Sequence, residues 1–359
     1  MRDRVLVWGL SNNRAGTEAV ISNYASRAKG VLFDYLCYEN PVRYNHLLQE
    51  AGGRAFVIPI KIKHPIKYYC ALRSFFAEHG HEYYALWFNI NDMSNIDLLE
   101  FAAKCGIERR ITHFHNDNIP DVLITKFFSR INRSRCLRLT TDRWACSTAA
   151  GRFAYGDDTP FRLIPNAVDA NRVSFSESKR KQVRDELCLA DSFVIGNIGR
   201  FAVQKNQQFL IRLMPAILKT KKNAKLLLVG EGELREDLVA LAARLGVEQD
   251  VLFAGTQEDV QGYLSAMDVF AFPSLYEGFG LSLLEAQFNK VPCIVSSAIN
   301  DEVRISSDLR YLELDEGEWV SALLSTFSRP SELVPYRANQ YDLRNLGELS
   351  GRLFMPESD

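Results

Sequence analysis

Residues 193–296 alternate short apolar runs with amphipathic stretches, and this alternation restricts the fold more than any other feature of the chain. Short apolar runs of this kind are typical of strands that are buried on both faces of a parallel sheet. The predicted strands are Phe193–Asn197, Lys225–Val229, Val251–Phe253, Val269–Phe272 and Pro292–Ser296, and the predicted helices are Gln207–Leu218, Glu233–Leu245, Val260–Ala266 and Leu281–Asn289. The sequence therefore predicts an α/β domain with a doubly wound parallel sheet, which binds ligands beyond the carboxyl ends of its strands.

The first half of the chain begins in the same way. Arg4–Leu10 is a predicted strand, Ser11–Gly16 a loop, and Thr17–Ala28 a helix that Thr17 caps. Further predicted strands are Val31–Leu36, Arg54–Pro59, Ala85–Asn89 and Arg110–His115. Because 359 residues favour two domains, we predict one Rossmann-like domain over residues 1–180 and another over 190–335. The linker would lie near residues 172–190, and a C-terminal helix over 336–359 would return to the first domain.

Charge is divided unevenly between the halves, although the net charge is only −1. Residues 1–185 hold 27 Lys and Arg against 19 Asp and Glu, whereas residues 186–359 hold 16 against 25. A basic first half suits an anionic partner such as a membrane surface or a lipid pyrophosphate, and it also fits an accident of surface composition. Nucleic acid is a poor candidate, because the excess is modest and no recognised reader motif is present.

Composition indicates a soluble globular protein, with 47% hydrophobic and 24% charged residues. No apolar run approaches the length of about 18 residues that a membrane span needs, and the N-terminus lacks the apolar core of a signal peptide. The seven cysteines are scattered, odd in number and never in a Cys-x-x-Cys pair. We therefore expect a cytoplasmic protein with reduced thiols and no metal site.

The segment from Gly255 to Glu285 carries the chemistry. Glu277 and Glu285 lie on either side of a Gly-Phe-Gly turn, between a predicted strand and a predicted helix. Backbone N–H groups and the positive end of a helix dipole suit such a turn to an anion. The carboxylates would repel that anion, and they are suited instead to accept hydrogen bonds from sugar or ribose hydroxyls. Together these features indicate a nucleotide sugar, and the alternative is a pair of ordinary surface acids.

Four blocks in this half resemble a known family. They are NIGRFAVQKNQQFLI (197–211), LLLVGEGELREDL (226–238), VLFAGTQEDV (251–260) and the segment around Glu277. In order and spacing they resemble the family 4 retaining glycosyltransferases. The resemblance implies a GT-B fold, with two Rossmann-like domains that face a central cleft. Residues 299–324, 16–24 and 110–117 resemble the subgroup that builds bacterial exopolysaccharide and capsule.

The resemblance assigns roles to individual residues of the donor site. Arg200 and Lys205 match the basic pair that holds the diphosphate, Glu277 matches the carboxylate on the donor sugar, and Glu285 matches the carboxylate on the ribose. The other matched donor-site residues are Gly16, Gly230, Gly255, Thr256, Gly278, Phe279 and Gly280, which approach the phosphate, sugar or base through backbone atoms. A nucleoside diphosphate leaving group needs its charge neutralised as the glycosidic bond breaks, and Arg and Lys can supply this neutralisation without a metal.

The first half offers fewer signals for the acceptor. Where many family members carry a histidine after a strand, this chain offers Asn89 and Asn91, and His115 follows one strand later. We expect His115 to lie near the acceptor, and a packed histidine bonded to backbone is the alternative.

Two clusters mix basic and aromatic residues. Residues 125–139 include Arg130, Arg133, Arg135 and Arg138 among Phe and Ile, and residues 61–69 include Lys61, Lys63, Lys67, Tyr68 and Tyr69. Such clusters suit an anionic membrane or a polyprenyl pyrophosphate. They would equally be solvated helix faces.

The resemblance thus implies transfer of a hexose or N-acetylhexosamine from a nucleoside diphosphate sugar to a hydroxyl of a glycan or polyprenyl-diphosphate-linked acceptor. Uridine is the expected base, because UDP-sugars are common donors in the family. The resemblance also implies retention of configuration and no metal or other cofactor. The protein would work on cell-surface polysaccharide from the cytoplasm, with peripheral attachment to the inner face of the membrane if the basic clusters bind lipid. A nucleotide-sugar epimerase and a non-catalytic partner subunit are the alternatives.

Overall fold

A computed structural model of the chain describes residues 4–12, 16–49, 52–118, 122–325, 329, 333, 335–345 and 347–355. These residues form two compact units: one runs to Ala167 and resumes at Leu343, and the other spans Val168–Asp342. The charged stretch that we expected to act as a linker instead forms a helix, Glu177–Glu186, within the second unit. The reason is electrostatic, because Arg180 and Arg184 of this helix bind Asp268 of the same unit.

The first unit is built on a seven-stranded parallel sheet with the strand order β3-β2-β1-β4-β5-β6-β7. The strands are β1 Arg4–Trp8, β2 Leu32–Cys37, β3 Ala55–Val57, β4 Tyr83–Ile90, β5 Arg109–Phe114, β6 Asp142–Ala145 and β7 Arg162–Leu163. The helices are α1 Gly16–Ala25, α2 Asn45–Gln49, α3 Pro65–His79, α4 Asp97–Lys104, α5 Leu123–Leu139, α6 Thr148–Tyr155 and the last helix of the chain, Gly347–Phe354. Apolar cores cover both faces of the sheet, so that neighbours in β4 such as Trp87 and Phe88 point into different cores.

The second unit holds a six-stranded parallel sheet with the order β10-β9-β8-β11-β12-β13. The strands are β8 Phe193–Ile198, β9 Ala224–Val229, β10 Val251–Phe253, β11 Val269–Phe272, β12 Cys293–Ser296 and β13 Leu309–Leu312. The helices are α7 Ala170–Val173, α8 Glu177–Glu186, α9 Gln207–Thr220, α10 Arg235–Arg244, α11 Val260–Ala266, α12 Leu281–Phe288, α13 Glu316–Leu324 and α14 Pro335–Tyr341. All four residues of β11 are fully buried, as expected of a central strand that is covered on both faces.

The prediction of two doubly wound parallel sheets is confirmed. Every strand and helix predicted between residues 4 and 296 is present, with its ends shifted by at most three residues. Thr17 is not a helix cap, because α1 already begins at Gly16.

The C-terminal segment predicted over 336–359 returns to the first unit from Leu343 onward, as expected, but it forms two helices rather than one. α14 belongs to the second unit and the last helix to the first, where the Phe354 ring packs 4.8 Å from that of Trp87. Residues 356–359 lie outside the described part of the chain.

Candidate active site

Each sheet reverses its strand order at one point, and doubly wound sheets bind ligands at the carboxyl edge of that point. Numbered within each unit, the second sheet has the order 3-2-1-4-5-6, and the first sheet has the same order followed by a seventh strand. The reversal lies between β1 and β4 in the first unit and between β8 and β11 in the second. The loops that follow β8 and β11 contain Lys205 and Glu277, two of the residues predicted to bind the donor.

Lys205 and Glu277 form an ion pair at this point of the second sheet. Lys205 Nζ donates a hydrogen bond of 2.6 Å to Glu277 Oε1, and the two side chains are only 17% and 7% exposed. The ammonium group also lies 5.2 Å from the centre of the Phe272 ring. Because a partly buried charge without a partner is strongly destabilising, each group fixes the other. The pair presents a cation for phosphate and a carboxylate for hydroxyls in one place.

The loops that carry the pair are joined by three further hydrogen bonds. Lys205 ends a 3₁₀ turn, Val203–Lys205, and Asn206 follows it in the left-handed region at φ 52°. Asn206 Nδ2 donates to the Pro273 carbonyl at 3.2 Å, and Gln204 Nε2 donates to the Tyr276 carbonyl at 2.9 Å. The Leu275 N–H donates in turn to the Gln204 carbonyl. These contacts hold the position of Lys205 relative to Glu277.

Arg200 follows β8 at the same edge and is mostly exposed. Its Nε donates to Glu233 at 3.0 Å, and the two side chains are 72% and 53% exposed. An exposed pair of this kind contributes little stability, so the guanidinium can exchange Glu233 for a bound anion at small cost.

Two buried amides that the sequence reasoning missed hold the Arg200 loop. Gln207 Nε2, on α9, donates to the Arg200 carbonyl at 3.1 Å and to Asn197 Oδ1 at 3.3 Å. Asn197 Nδ2 in turn donates to the Ala271 carbonyl of β11 at 2.8 Å. The sequence did contain a signal for this role, because Asn197 is a polar residue within an apolar strand.

The glycines that follow β9 and β10 allow the loops at this edge to touch. Gly230 has φ +141°, and a Cβ built there would lie 2.1 Å from the Gly199 carbonyl oxygen. Its N–H donates to the Gly255 carbonyl at 2.9 Å, so Gly230 serves packing between loops and its N–H is not free for a ligand. Gly255 has φ +68°, and the neighbouring Thr256 is exposed.

The Gly-Phe-Gly turn leads directly into α12. Gly280 has φ +76° and a Cβ there would be 3.5 Å from the Phe272 ring, so a side chain at this position would be strained. Phe279 is buried, with its ring 5.2 Å from that of Tyr341, and its side chain therefore packs while its backbone remains at the edge with Gly278. The first N–H groups of a helix have no partner inside that helix, and here they open toward the same edge as Lys205.

Glu285 lies about one turn into α12 and differs from an ordinary surface acid. Its side chain is half-buried, and loss of hydration raises its pKa to about 7. A hydroxyl that donates a hydrogen bond to the ionised form of such a carboxyl group stabilises that form. Its position and titration suit recognition of a polyhydroxylated ligand.

In the first unit the reversal point is marked by Gly9, which the sequence reasoning also missed. A Cβ at Gly9 would lie 2.9 Å from Asn89 Cβ, and its φ of +107° favours glycine. Gly16 begins α1 and shows no positive φ, and among the described residues the nearest atom to a Cβ placed there is Asn166 Nδ2 at 3.7 Å. Close approach of backbone in this unit is therefore required at Gly9 rather than at Gly16. Residues 13–15 of the predicted loop lie outside the described residues.

Asn89 and His115 meet at the carboxyl ends of β4 and β5. Asn89 Nδ2 donates to the Trp8 carbonyl at 3.0 Å, which leaves its Oδ1 to accept from His115 Nε2 at 2.9 Å. His115 thus carries its proton on Nε2. Its Nδ1 is a buried acceptor for which the described residues supply no hydrogen-bond partner. Burial lowers the pKa of His115 to about 3, so the ring is neutral at ordinary pH.

The remaining acceptor candidates do not gather around His115. Asn91 is exposed beyond the end of β4. Arg133 Nη1 donates to the Phe153 carbonyl at 3.0 Å and Arg135 pairs with Glu100 at 2.8 Å, so both are held by their own unit. Arg130 is exposed on α5.

Apolar side chains on α5 are unusually exposed. Leu123 is 83% exposed, Phe127 61% and Ile131 57%, and their spacing of four residues places them on one face. In the other cluster Tyr68 is buried, contrary to the expected basic–aromatic surface, because its side chain belongs to an apolar core together with Leu72 and Phe76. Exposed Ile62 and Ile66 take its place there.

Within the described ranges, no three or more His, Cys, Asp and Glu side chains are grouped so as to hold a metal ion. Over the same residues, no helix is both long and apolar enough to cross a bilayer.

Comparison with known proteins places this geometry among enzymes that transfer sugars. The profile of the family described as glycosyl transferases group 1 matches residues 192–327. A putative glycosyltransferase, EpsF of Bacillus subtilis (strain 168), is 31% identical over 334 residues, which cover 88% of this chain and 85% of the relative. The UDP-Gal:alpha-D-GlcNAc-diphosphoundecaprenol alpha-1,3-galactosyltransferase of Escherichia coli is 33% identical over 147 residues, 40% of this chain and 38% of that protein.

Among solved structures, Anabaena Alr3699/HepE in complex with UDP and glucose superposes with a TM-score of 0.79 and 19% identity, covering 98% of both chains. At that level of identity the likeness concerns the fold, which is GT-B.

Proposed function

Because this chain belongs to the group 1 glycosyltransferases, we propose that it transfers a hexosyl or N-acetylhexosaminyl group from a UDP-sugar with retention of configuration and without a metal ion. The acceptor is a hydroxyl of a glycan or polyprenyl-diphosphate-linked glycan in cell-surface polysaccharide synthesis. The observation that carries the proposal is the Lys205–Glu277 pair at the reversal point of the second sheet. Two relatives support the choice of donor: the name of the Escherichia coli protein specifies UDP-Gal, and HepE was solved with UDP.

In this proposal the cations and the helix end bind the diphosphate. Lys205 has three N–H donors, so one can remain on Glu277 while the others reach phosphate oxygens. Arg200 leaves its exposed partner Glu233 for the same group. The N-terminus of α12 adds backbone N–H groups and its dipole. These charges stabilise the diphosphate as the glycosidic bond breaks, which is the role a metal would otherwise fill.

The carboxylates recognise hydroxyls. Glu277 accepts from the donor sugar and Glu285 from the ribose. For the transfer itself we propose a front-face displacement. An oxygen of the departing phosphate takes the proton of the acceptor hydroxyl, while that hydroxyl oxygen forms the new bond on the face the phosphate leaves. Catalysis then rests on positioning and electrostatic stabilisation.

His115 is proposed to bind a hydroxyl through Nδ1. The atom is a buried acceptor without a protein partner among the described residues, and Asn89 holds the ring with Nδ1 unprotonated. A neutral imidazole of this kind positions a hydroxyl and does not carry a proton away, since its pKa is about 3.

Transfer from a panel of UDP-sugars to a polyprenyl-diphosphate-linked acceptor, in buffer with EDTA, tests the function. We expect product from one UDP-sugar, with the donor's anomeric configuration kept in the NMR spectrum. Failure of every UDP-sugar, a strict requirement for Mg²⁺ or an inverted product would overturn the corresponding part of the proposal. A new sugar formed without acceptor would indicate the epimerase, and binding without any turnover would indicate the non-catalytic subunit.

We also propose that α5 attaches the protein to an anionic membrane. Its exposed apolar face is accompanied by Lys126 and Arg130, and the helix contains no acidic residue. Such a helix lies in the plane of a membrane interface, where each basic residue contributes about 1 kcal/mol near anionic lipid. Of the other two arginines that we expected to bind lipid, Arg133 is less suited because it is bound to the Phe153 carbonyl, whereas Arg135 is half-exposed and pairs only with Glu100 at the surface.

Sedimentation with phosphatidylglycerol vesicles tests this attachment. Replacement of both Leu123 and Phe127 by Ser should release the protein, whereas Val239→Ser, at a residue 40% exposed on α10, should leave binding unchanged. Vesicle binding that is equal in both variants would rule out α5 as the attachment site.

A further inference from the structure

We propose a second anion site in the second unit, a cavity that binds a phosphate-bearing ligand at the edge of the sheet opposite the donor site. The cavity has a volume of about 590 Å³ and opens to solvent. It lies beside Phe193, the first residue of β8, whereas Lys205 follows the far end of that strand. At a rise of about 3.3 Å per residue, the length of β8 separates the two sites by roughly 17 Å.

Four basic side chains line this cavity: Arg180, Arg184, Lys221 and Arg329. Among the described residues of the lining, two are acidic. Asp268 is already bound by Arg180 at 2.6 Å and by Arg184 at 3.4 Å, and Asp191 lies exposed at the rim. The lining therefore carries an excess of positive charge.

Three arginines form the positive wall because they cover the carboxyl end of α11. Arg180 Nη1 donates to the Ser265 carbonyl at 2.7 Å, Arg184 Nη1 to that of Ala266 at 2.8 Å, and Arg329 Nη2 to that of Met267 at 2.9 Å. These hydrogen bonds neutralise the negative end of the helix dipole and fix the guanidinium groups in place. The guanidinium groups supply positive charge that costs no ordering when a ligand binds.

Lys221 supplies the mobile donors. Its Nζ lies 3.8 Å above the Phe193 ring, and over the described residues it has no carboxylate within ion-pair distance. Arg329 is held by carbonyls and by the Phe175 ring at 4.2 Å, again without a carboxylate partner in that part of the chain. Burial and the charge of Arg180 lower the pKa of Arg329 to about 10, although the charges of Asp268 and Glu177 act in the opposite direction. A phosphate group, with several acceptor oxygens and up to two charges, matches one lysine beside a fixed guanidinium wall.

Inorganic phosphate titrated into the full-length protein by calorimetry, at ionic strength held constant with NaCl, tests this site. Lys221→Met keeps an apolar stem over Phe193 and removes the charge, and Lys222→Met is the matched control at an exposed neighbour outside the cavity. We expect one site whose affinity falls about tenfold in Lys221→Met, as for one lost charge-assisted hydrogen bond, and is unchanged in Lys222→Met. Binding of phosphate to the donor site would be the same in both variants, so their difference reports on this cavity.

Three results would overturn the site. They are a wild-type protein with no heat of binding beyond that of chloride, a Lys221→Met variant that binds as the wild type does, and equal losses in both variants. Thermal unfolding without phosphate checks that both variants are folded.

Discussion

The titration of Glu285 should make the affinity for the donor depend on pH, and the size of this dependence follows from the pKa of Glu285. Its pKa in the free protein is raised to about 7 by burial. If the ionised carboxylate accepts ribose hydroxyls, binding selects that form, and the observed dissociation constant scales with one plus the ratio of protonated to ionised Glu285. Affinity for a UDP-sugar should thus be about twofold below its plateau at pH 7 and about elevenfold below it at pH 6.

Calorimetry with UDP-glucose over about pH 5.5 to 8.5 measures this dependence, since a diphosphate diester does not itself titrate in that range. Glu285→Gln retains an acceptor oxygen and removes the titration, so its affinity should be lower and flat with pH. Glu236→Gln, at an exposed acid of α10, should keep the wild-type slope. A wild-type affinity that does not change between pH 6 and 8, or a slope that persists in Glu285→Gln, would refute the role of this carboxylate.

Three further outcomes are expected from the structure. Lys205→Ala should lower kcat at least about 100-fold, the effect of losing one transition-state donor, and near-wild-type kinetics would contradict its phosphate role. Gly230→Ala should lower Tm and weaken UDP binding because its Cβ meets the Gly199 carbonyl at 2.1 Å, whereas Gly246→Ala, at φ +67° with open space, should cost only the backbone strain of about 1 kcal/mol or more. His115→Leu should raise the KM for acceptor with UDP-sugar affinity unchanged, and a loss of donor binding in a calorimetric titration would place the histidine elsewhere.

Glu285 should also make the stability of the fold depend on pH. Its folded pKa is raised from 4.5 to about 7, so the protonated form favours the folded state. That contribution is present below about pH 4.5 and is lost as the pH rises toward 7. Glu285→Gln should therefore raise Tm relative to wild type at about pH 8 and leave it nearly unchanged at about pH 4.

The sheets were predictable because their strands are continuous apolar runs. A run such as Val269–Phe272 has a single stable environment, between two helical layers, and the structure places it there with no exposed residue. The donor-site blocks follow strands whose carboxyl ends must share one edge, so that Lys205 and Glu277 could be expected in the same place.

Features that depend on packing across the fold were not predictable in the same way. Nothing local distinguishes Arg133 from Arg130, and only the positions of Phe153 and Glu100 show that Arg133 and Arg135 already have partners. Tyr68 is buried for a similar reason, since the fold brings side chains that are distant in sequence, such as Leu36 and Ile58, into the same core. Gly9, by contrast, directly follows an apolar strand, and this signal was present in the sequence.

The most direct test of the account is a thermal-shift panel of UDP, GDP and ADP in EDTA, for the wild type and Lys205→Ala. If the site beside Lys205 and Glu277 binds the diphosphate without metal, UDP should raise the wild-type Tm in EDTA, and the shift should be largely lost in Lys205→Ala. No shift by any nucleotide, a shift that appears only after Mg²⁺ is added, or an equal shift in both proteins would contradict the central claim.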